Sequence, residues 1–306
     1  MDTPISVTRL AQLMAKILES LSDIAHNYDH FILDIYGVIH NGIQLFPGTV
    51  KCLENLNAAG KQVCLLSNSP RRAAGAASQM ERMGLPSELF HHIVTSGEET
   101  HLSLATYPYG KRCWFIGTDI MREVLEGLDI TLVDDYKNAD FILNSVPDTH
   151  PDSIQKFYDD LSGAAPLKLP MICANPDLVV NIGEHQYKCA GTFAQHYEDQ
   201  GGPVIYHGKP YAPVYERCHT LLGSPDKSTI CAIGDSFHTD ITGANTFGIS
   251  CVFNIEGIHE EELTCPVNRT ITDSAIHTMI AKQNQSPTYV LKGFEWVTLP
   301  PKVGPC

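Results

Sequence analysis

Residues 31–42 read FILDIYGVIHNG: an apolar run, then Asp34, then a turn at Gly37. A carboxylate directly after an apolar strand is well placed as a covalent nucleophile, and glycine lets the chain bend sharply beside it. The same pattern recurs twice. VCLL (63–66) gives Ser67-Asn68, and ICAIG (230–234) gives Asp235. In open α/β sheets, ligands bind outside the carboxyl ends of the strands. Three such endings would therefore bring a carboxylate, a hydroxyl and a second carboxylate to one edge. Polar residues at strand ends are also ordinary turn formers, so the surrounding motifs must carry the argument.

Outward from this stretch, short apolar runs alternate with helical patterns. The runs are Phe31–Leu33, Val63–Leu66, Trp114–Ile116, Phe141–Leu143, Met171–Cys173, Val204–Tyr206, Ile230–Ile233 and Cys251–Phe253. Between several of them lie helix-like stretches at Val50–Ala59, Arg71–Met83, Ile154–Leu161 and Pro213–Leu222. That order predicts βα units and a parallel sheet. Near the start, Leu10, Leu13, Met14, Ile17, Leu18 and Leu21 recur at helical spacing, which predicts an amphipathic helix and not a signal peptide.

Composition narrows the class. At about 100–200 residues per domain, 306 residues predict two domains, or one with a large insertion. With 21 Lys+Arg against 35 Asp+Glu the formal charge is −14, a poor match to nucleic acid, which is held mainly by cations on phosphates. A local basic pocket for one small phosphate stays open. Charged residues make up 18% and hydrophobic residues 43%, a globular composition. No run approaches the ~18 apolar residues of a membrane span. The ten cysteines form no CxxC pair, and most lie in apolar runs, so they read as small buried hydrophobes in a reducing cytosol.

Three further segments carry chemistry. In LLSNSP (65–70) the Ser67 hydroxyl can donate to a phosphoryl oxygen, joined by the backbone N–H groups of Asn68 and Ser69. In HGKP (207–210), Lys209 follows a strand and precedes a helix expected to open at Pro210. Its ammonium could neutralise charge on a nucleophile and a phosphoryl group. In IGDSFHTDI (233–241), Asp235 and Asp240 share one loop and suit Mg²⁺, a hard cation that takes oxygen ligands.

Together these motifs resemble the haloacid dehalogenase-like hydrolases, in particular the class IIA branch with its large α/β cap. They fall in the right order over nearly the whole chain: DxxGV at 34–38, LSN at 66–68, GKP at 208–210 and GDSFHTD at 234–240. ANPD (174–177) resembles a cap signature of that branch, and CAGTF (189–193) the segment leading out of the cap. The resemblance implies Asp34 as nucleophile, Ser67 as phosphate-binding hydroxyl and Lys209 as the charge-neutralising lysine. It implies Asp235 as a Mg²⁺ ligand, Asp240 supporting the ion directly or through water, and the backbone carbonyl of Tyr36 as a further ligand. Asn68, Asn175 and Asp177 join the substrate-binding set.

One departure matters. Phosphatases of this family carry a second Asp two residues after the nucleophile, and here that position is Tyr36. A phenol with an unperturbed pKa near ~10 is a weak acid at neutral pH. General acid–base help is worth roughly 10²–10⁴-fold, so hydrolysis should slow while phosphate binding survives. Haloacid dehalogenases proper also have DxYG, which keeps metal-free dehalogenation open. They dispense with Mg²⁺, however, and insert a helical cap between the first two motifs, a gap that is short here (43–65). A catalytically weakened phosphate-binding protein is a further alternative. His40 is the nearest substitute acid–base group, although a surface-loop role, for one of fourteen histidines, is the simpler reading. His238 reads as a solvated loop residue. Arg71 and Arg72 could attract anions or merely begin a helix.

The expected architecture is a Rossmann-like parallel-sheet core from residues 1–100 and 203–306, with an α/β cap inserted at 101–202. The expected partner is a small phosphorylated metabolite, with neither nucleic acid nor membrane. A cytoplasmic location and a homodimer joined through the cap complete the expectations.

Overall fold

The computed structural model describes residues 15–107, 109–145, 151–182, 185–266 and 268–297. Its strands, in chain order, are β1 (Lys16–Leu18), β2 (His30–Asp34), β3 (Gln62–Ser67), β4 (His92–Thr95), β5 (Arg112–Ile116), β6 (Thr131–Val133), β7 (Phe141–Asn144), β8 (Met171–Cys173), β9 (Val179–Ile182), β10 (His185–Lys188), β11 (Val204–Tyr206), β12 (Ile230–Gly234), β13 (Ser250–Asn254) and β14 (Tyr289–Leu291). All eight apolar runs are strands. They are short, flanked by turns and without alternation, as strands covered on both faces should be. The chain divides into two compact units, Met1–Leu65 with Glu88–His92 and Leu221–Cys306, and Leu66–Ser87 with Ile93–Thr220.

In the first unit the sheet order is β1-β14-β13-β12-β2, continuing through β3 to β4. The pairs from β1 across to β2 run parallel. Phe31, Leu33, Cys231, Ile233, Val252 and Phe253 are buried at its centre. Leu33 pairs with Ile233, so β2 and β12 end side by side. That register delivers Asp34 and Asp235 to the same edge.

The second unit holds its own parallel sheet, order β11-β8-β7-β5-β6. One face packs Ile116, Ile142, Met171 and Cys173 against Phe193, Ala194 and Tyr197 of helix Ala190–Asp199. The other packs Phe141, Leu143, Ile172 and Ala174 against Leu104 of helix Ser96–Thr106. β9 and β10 form a separate antiparallel ribbon. Of the nine cysteines described, eight are buried free thiols and Cys265 is half-exposed.

Two expectations change. The amphipathic helix falls partly on residues 1–14, outside the described residues, and its remainder is not helical. Lys16–Leu18 is a strand paired with β14, and Leu21–Asp23 is a single 3₁₀ turn begun by Ser20. Here sheet pairing overrides a local period. The helix after Lys209 begins at Ala212, so Pro210 precedes it and Pro213 sits in its first turn.

Candidate active site

Asp34, Asp235 and Asp240 are each buried, and one carboxylate oxygen from each lies within 4.8 Å of the others. Asp34 ends β2, Asp235 follows β12, and Asp240 sits in the turn Phe237–Ile241. Backbone holds two of them in place. The Ile258 N–H donates to Asp235 Oδ2 at 2.8 Å, and the Ser236 N–H donates to Asp240 Oδ2 at 3.2 Å. Gly37 explains the glycine of the DxxGV segment. Its φ is +92°, and a Cβ there would lie 2.0 Å from Asp235 Oδ2. Only glycine permits both the turn and that approach. Three buried carboxylates in so small a volume repel one another. Their oxygen-only donor set fits a hard divalent cation such as Mg²⁺.

The turn after Asp34 is tied at several points. The Gly37 N–H donates to the His40 carbonyl, and the Ile39 and His40 N–H groups donate to the Ile35 carbonyl. From β13, the Asn254 side chain donates through Nδ2 to the Gly37 carbonyl at 2.8 Å. Asn254 is fully buried and was invisible to motif reading. Its one signal in the sequence is that, like Asp34 and Asp235, it is a polar residue closing an apolar strand.

His40 is not a surface residue: it is 4% exposed, and its ring meets the Tyr36 ring edge-on at 5.5 Å. The Gly42 N–H donates to its Nδ1 at 2.8 Å, which places the neutral ring's proton on Nε2. Burial pushes its pKa down to about 4. His40 is thus a neutral wedge behind Tyr36 near pH 7. His238 is exposed, as expected of a solvated loop.

The second unit gathers Ser67, Asn68, Asn175, Asp177 and Lys209. Ser67 Oγ accepts from the Ser69 N–H at 3.1 Å, which leaves its own O–H to donate. Asn68 Oδ1 accepts from the Lys209 N–H at 2.6 Å and from Ser96 Oγ at 3.3 Å. Its Nδ2 donates to the Lys209 carbonyl at 3.1 Å and to Asp177 Oδ1 at 2.8 Å. Asn175 Oδ1 accepts from the Asp177 N–H at 3.0 Å, a side-chain turn that holds the ANPD loop. The structure therefore brings the candidate residues together in two groups, one in each unit. Arg71 and Arg72 are not open anion binders; Arg72 does begin helix Ala73–Arg82, as its N-cap, but neither side chain is exposed. Arg71 is paired with Glu123 at 2.6 Å and Arg72 with Glu98 at 2.7 Å, and all four are largely buried.

Known proteins resemble the chain in sequence and fold. The model of the haloacid dehalogenase-like hydrolases matches residues 31–131, and a HAD-hydrolase-like model matches 206–295. Chronophin from Rattus norvegicus is 25% identical over 263 residues, 79% of this chain and 81% of that protein. A crystal structure of a haloacid dehalogenase-like hydrolase from Brucella suis 1330 is 30% identical, covers 90% of this chain and 99% of its own, and superposes with a TM-score of 0.77. A possible sugar phosphatase from Cytophaga hutchinsonii, 21% identical, shares the fold over 93% of this chain and 100% of its own, with a TM-score of 0.76. The first model begins on β2, the strand that ends at Asp34, and the second spans Lys209 and both later aspartates. The chain belongs to the haloacid dehalogenase-like hydrolases.

Proposed function

We propose that this protein is a Mg²⁺-dependent phosphatase of the class IIA branch, hydrolysing small phosphorylated metabolites through a phosphoryl group carried on Asp34. The observation that carries the proposal is the buried trio Asp34, Asp235 and Asp240 at the strand ends of the first unit. The description of the Cytophaga protein as a possible sugar phosphatase supports sugar phosphates as the substrate class.

In this reading a carboxylate oxygen of Asp34 attacks phosphorus. The bond from phosphorus to the ester oxygen breaks, and that oxygen takes a proton and leaves as the alcohol. Water then attacks the phosphoryl group, releasing inorganic phosphate and restoring the Asp34 carboxylate. Asp34, Asp235, Asp240 and the Tyr36 carbonyl would hold the ion. When bound, Mg²⁺ draws charge from the phosphoryl oxygens and eases the approach of one anion to another. Ser67 and the N–H groups of Asn68 and Ser69 hold phosphoryl oxygens, and the Lys209 ammonium offsets their charge. The loop beyond Asn175 and Asp177 selects among organic groups. Residues 1–100 and 203–306 form the core and 101–202 the cap. Four strands of the second unit's five-stranded sheet fall within 101–202, and the fifth, Val204–Tyr206, lies just past that boundary. We place the protein in the cytoplasm as a homodimer joined through the cap. Among the described residues no helix is long and apolar enough to cross a membrane.

A slower enzyme is favoured by one observation. Tyr36 stands where the acid–base carboxylate of such phosphatases is expected, and His40 behind it is neutral near pH 7.

The test is phosphate release from an aryl phosphate with and without Mg²⁺. Activity should vanish with EDTA and in Asp34→Asn, and Asp235→Ala should need far more Mg²⁺. Chelation that leaves turnover intact, or metal-free halide release from a 2-haloacid, would replace this reading with a dehalogenase.

A further inference from the structure

Asn68 follows the phosphate-binding serine, and such a position invites a role in contacting substrate. Its carboxamide is already committed. An asparagine side chain offers two donor hydrogens and two acceptor lone pairs. Here the two hydrogens go to the Lys209 carbonyl and Asp177 Oδ1, and the oxygen takes the Lys209 N–H and the Ser96 hydroxyl. One side chain therefore grips both backbone groups of Lys209 and binds them to the ANPD loop. Asn68 and Lys209 are buried, so these bonds face little competition from water.

The packing around this hub is close. Gly208 has a φ of +128°, and a Cβ there would lie 2.2 Å from Ser96 Oγ, 2.6 Å from Asn68 Oδ1 and 2.7 Å from Pro176 Cδ. The glycine before Lys209 is what lets helix Ser96–Thr106, the ANPD loop and Asn68 close on the same point. Gly97 plays a matching part: a Cβ on it would meet the Pro70 carbonyl oxygen at 2.1 Å.

We propose that the Asn68 side chain is a positioning group: it fixes the backbone of Lys209 against Asp177 of the ANPD loop, and that carboxamide does not itself contact the substrate. The proposal rests on the reading of Lys209 as the residue that offsets phosphoryl charge. An ammonium on a flexible stem stabilises a transition state only if its base is held, and a small misplacement can cost about 100-fold in rate. The contact also gives the ANPD loop a route to the lysine, since Asp177 and Lys209 share one carboxamide.

The experiment is a double-mutant cycle in the full-length protein with Mg²⁺, using p-nitrophenyl phosphate. Asn68→Ala should lower kcat by up to about 100-fold, with a smaller change in KM and no change in the Mg²⁺ concentration for half-maximal activity. In a Lys209→Ala background, Asn68→Ala should cost nothing more, because its effect passes through the lysine. Asn68→Asp keeps an acceptor for the Lys209 N–H but turns an oxygen toward Asp177 Oδ1 and the Lys209 carbonyl, so it should be no faster than Asn68→Ala. If Asn68→Ala does not fold, Asn68→Ser replaces it in the cycle. Costs that add in the double variant, or a wild-type kcat in Asn68→Ala, would overturn the proposal. Full activity in Lys209→Ala would instead overturn the role given to the lysine.

Discussion

At Tyr36 a phenol stands two residues beyond Asp34, the proposed nucleophile, braced by the buried ring of His40. If Tyr36 supplies little proton transfer, esters with acidic leaving groups should outrun alkyl phosphates. Tyr36→Asp should then raise kcat/KM on alkyl phosphates by up to roughly 10²–10⁴-fold. Comparing aryl and alkyl esters in both proteins measures this, and efficient alkyl turnover by the wild type would sink it. Gly37 makes a second prediction. In Gly37→Ala the new Cβ has no room beside Asp235, so the carboxylate must move. The Mg²⁺ requirement should rise sharply while the central strands stay folded, as read by metal titration and circular dichroism. The sequence shows that Gly37 allows a turn. It does not show that the carboxylate two hundred residues later leans on that glycine, because the contact exists only after β2 and β12 pair.

Helix Ser96–Thr106 illustrates what elements add. Thr95 is its N-cap: Oγ1 accepts from the Glu98 N–H at 3.0 Å and donates to the Arg71 carbonyl at 2.6 Å. Thr95→Ala removes the cap and leaves a carbonyl unpaired, which should cost about 1–2 kcal/mol of stability. A denaturant midpoint shift reads it, and an unchanged midpoint would remove the cap from the account. This helix follows β4, whose sequence HIVT holds only two apolar residues between polar ends. Central strands are legible because burial on both faces forces their composition. The edge strands β1 and β6 are partly exposed and leave no such mark, since pairing rather than side-chain type defines them. The same limit explains why Lys16–Leu18 reads as helix and folds as strand. It also explains Arg71 and Arg72, whose partners Glu123 and Glu98 lie 52 and 26 residues away.

For the whole molecule, buried titrating groups set the response to pH. His207 Nε2 is buried without a hydrogen-bond partner, and burial pushes its pKa down to about 4. In the unfolded chain a histidine titrates near ~6.5. Between those values the unfolded state binds a proton that the native state refuses. The stability from this group is present above pH ~6.5 and is lost as pH falls toward 4. His207→Gln should therefore lose less melting temperature than the wild type on going from pH 7 to pH 5. Glu256 has the opposite sign. Burial, then Glu260 and Glu295 nearby, push it up to about 7. The unfolded carboxyl ionises near ~4.3 while the native one keeps its proton to about 7, so stability falls as pH rises across that window. Glu256→Gln should melt higher than the wild type at pH 8, and equal melting would show that the carboxyl ionises without penalty.

The eight interior thiols turn the protein into its own clock of breathing motions. Thiolates, not thiols, attack alkylating reagents, and burial holds Cys113, Cys173 and Cys189 up to about 12 and Cys251 up to about 11. While the protein stays closed, iodoacetamide should mark Cys265 first among the described cysteines. Each later mark records a transient opening that exposes one named strand or helix. Cys231 and Cys251 time the first unit and Cys113 and Cys173 the second, so one mass spectrum taken over hours would rank which half loosens first.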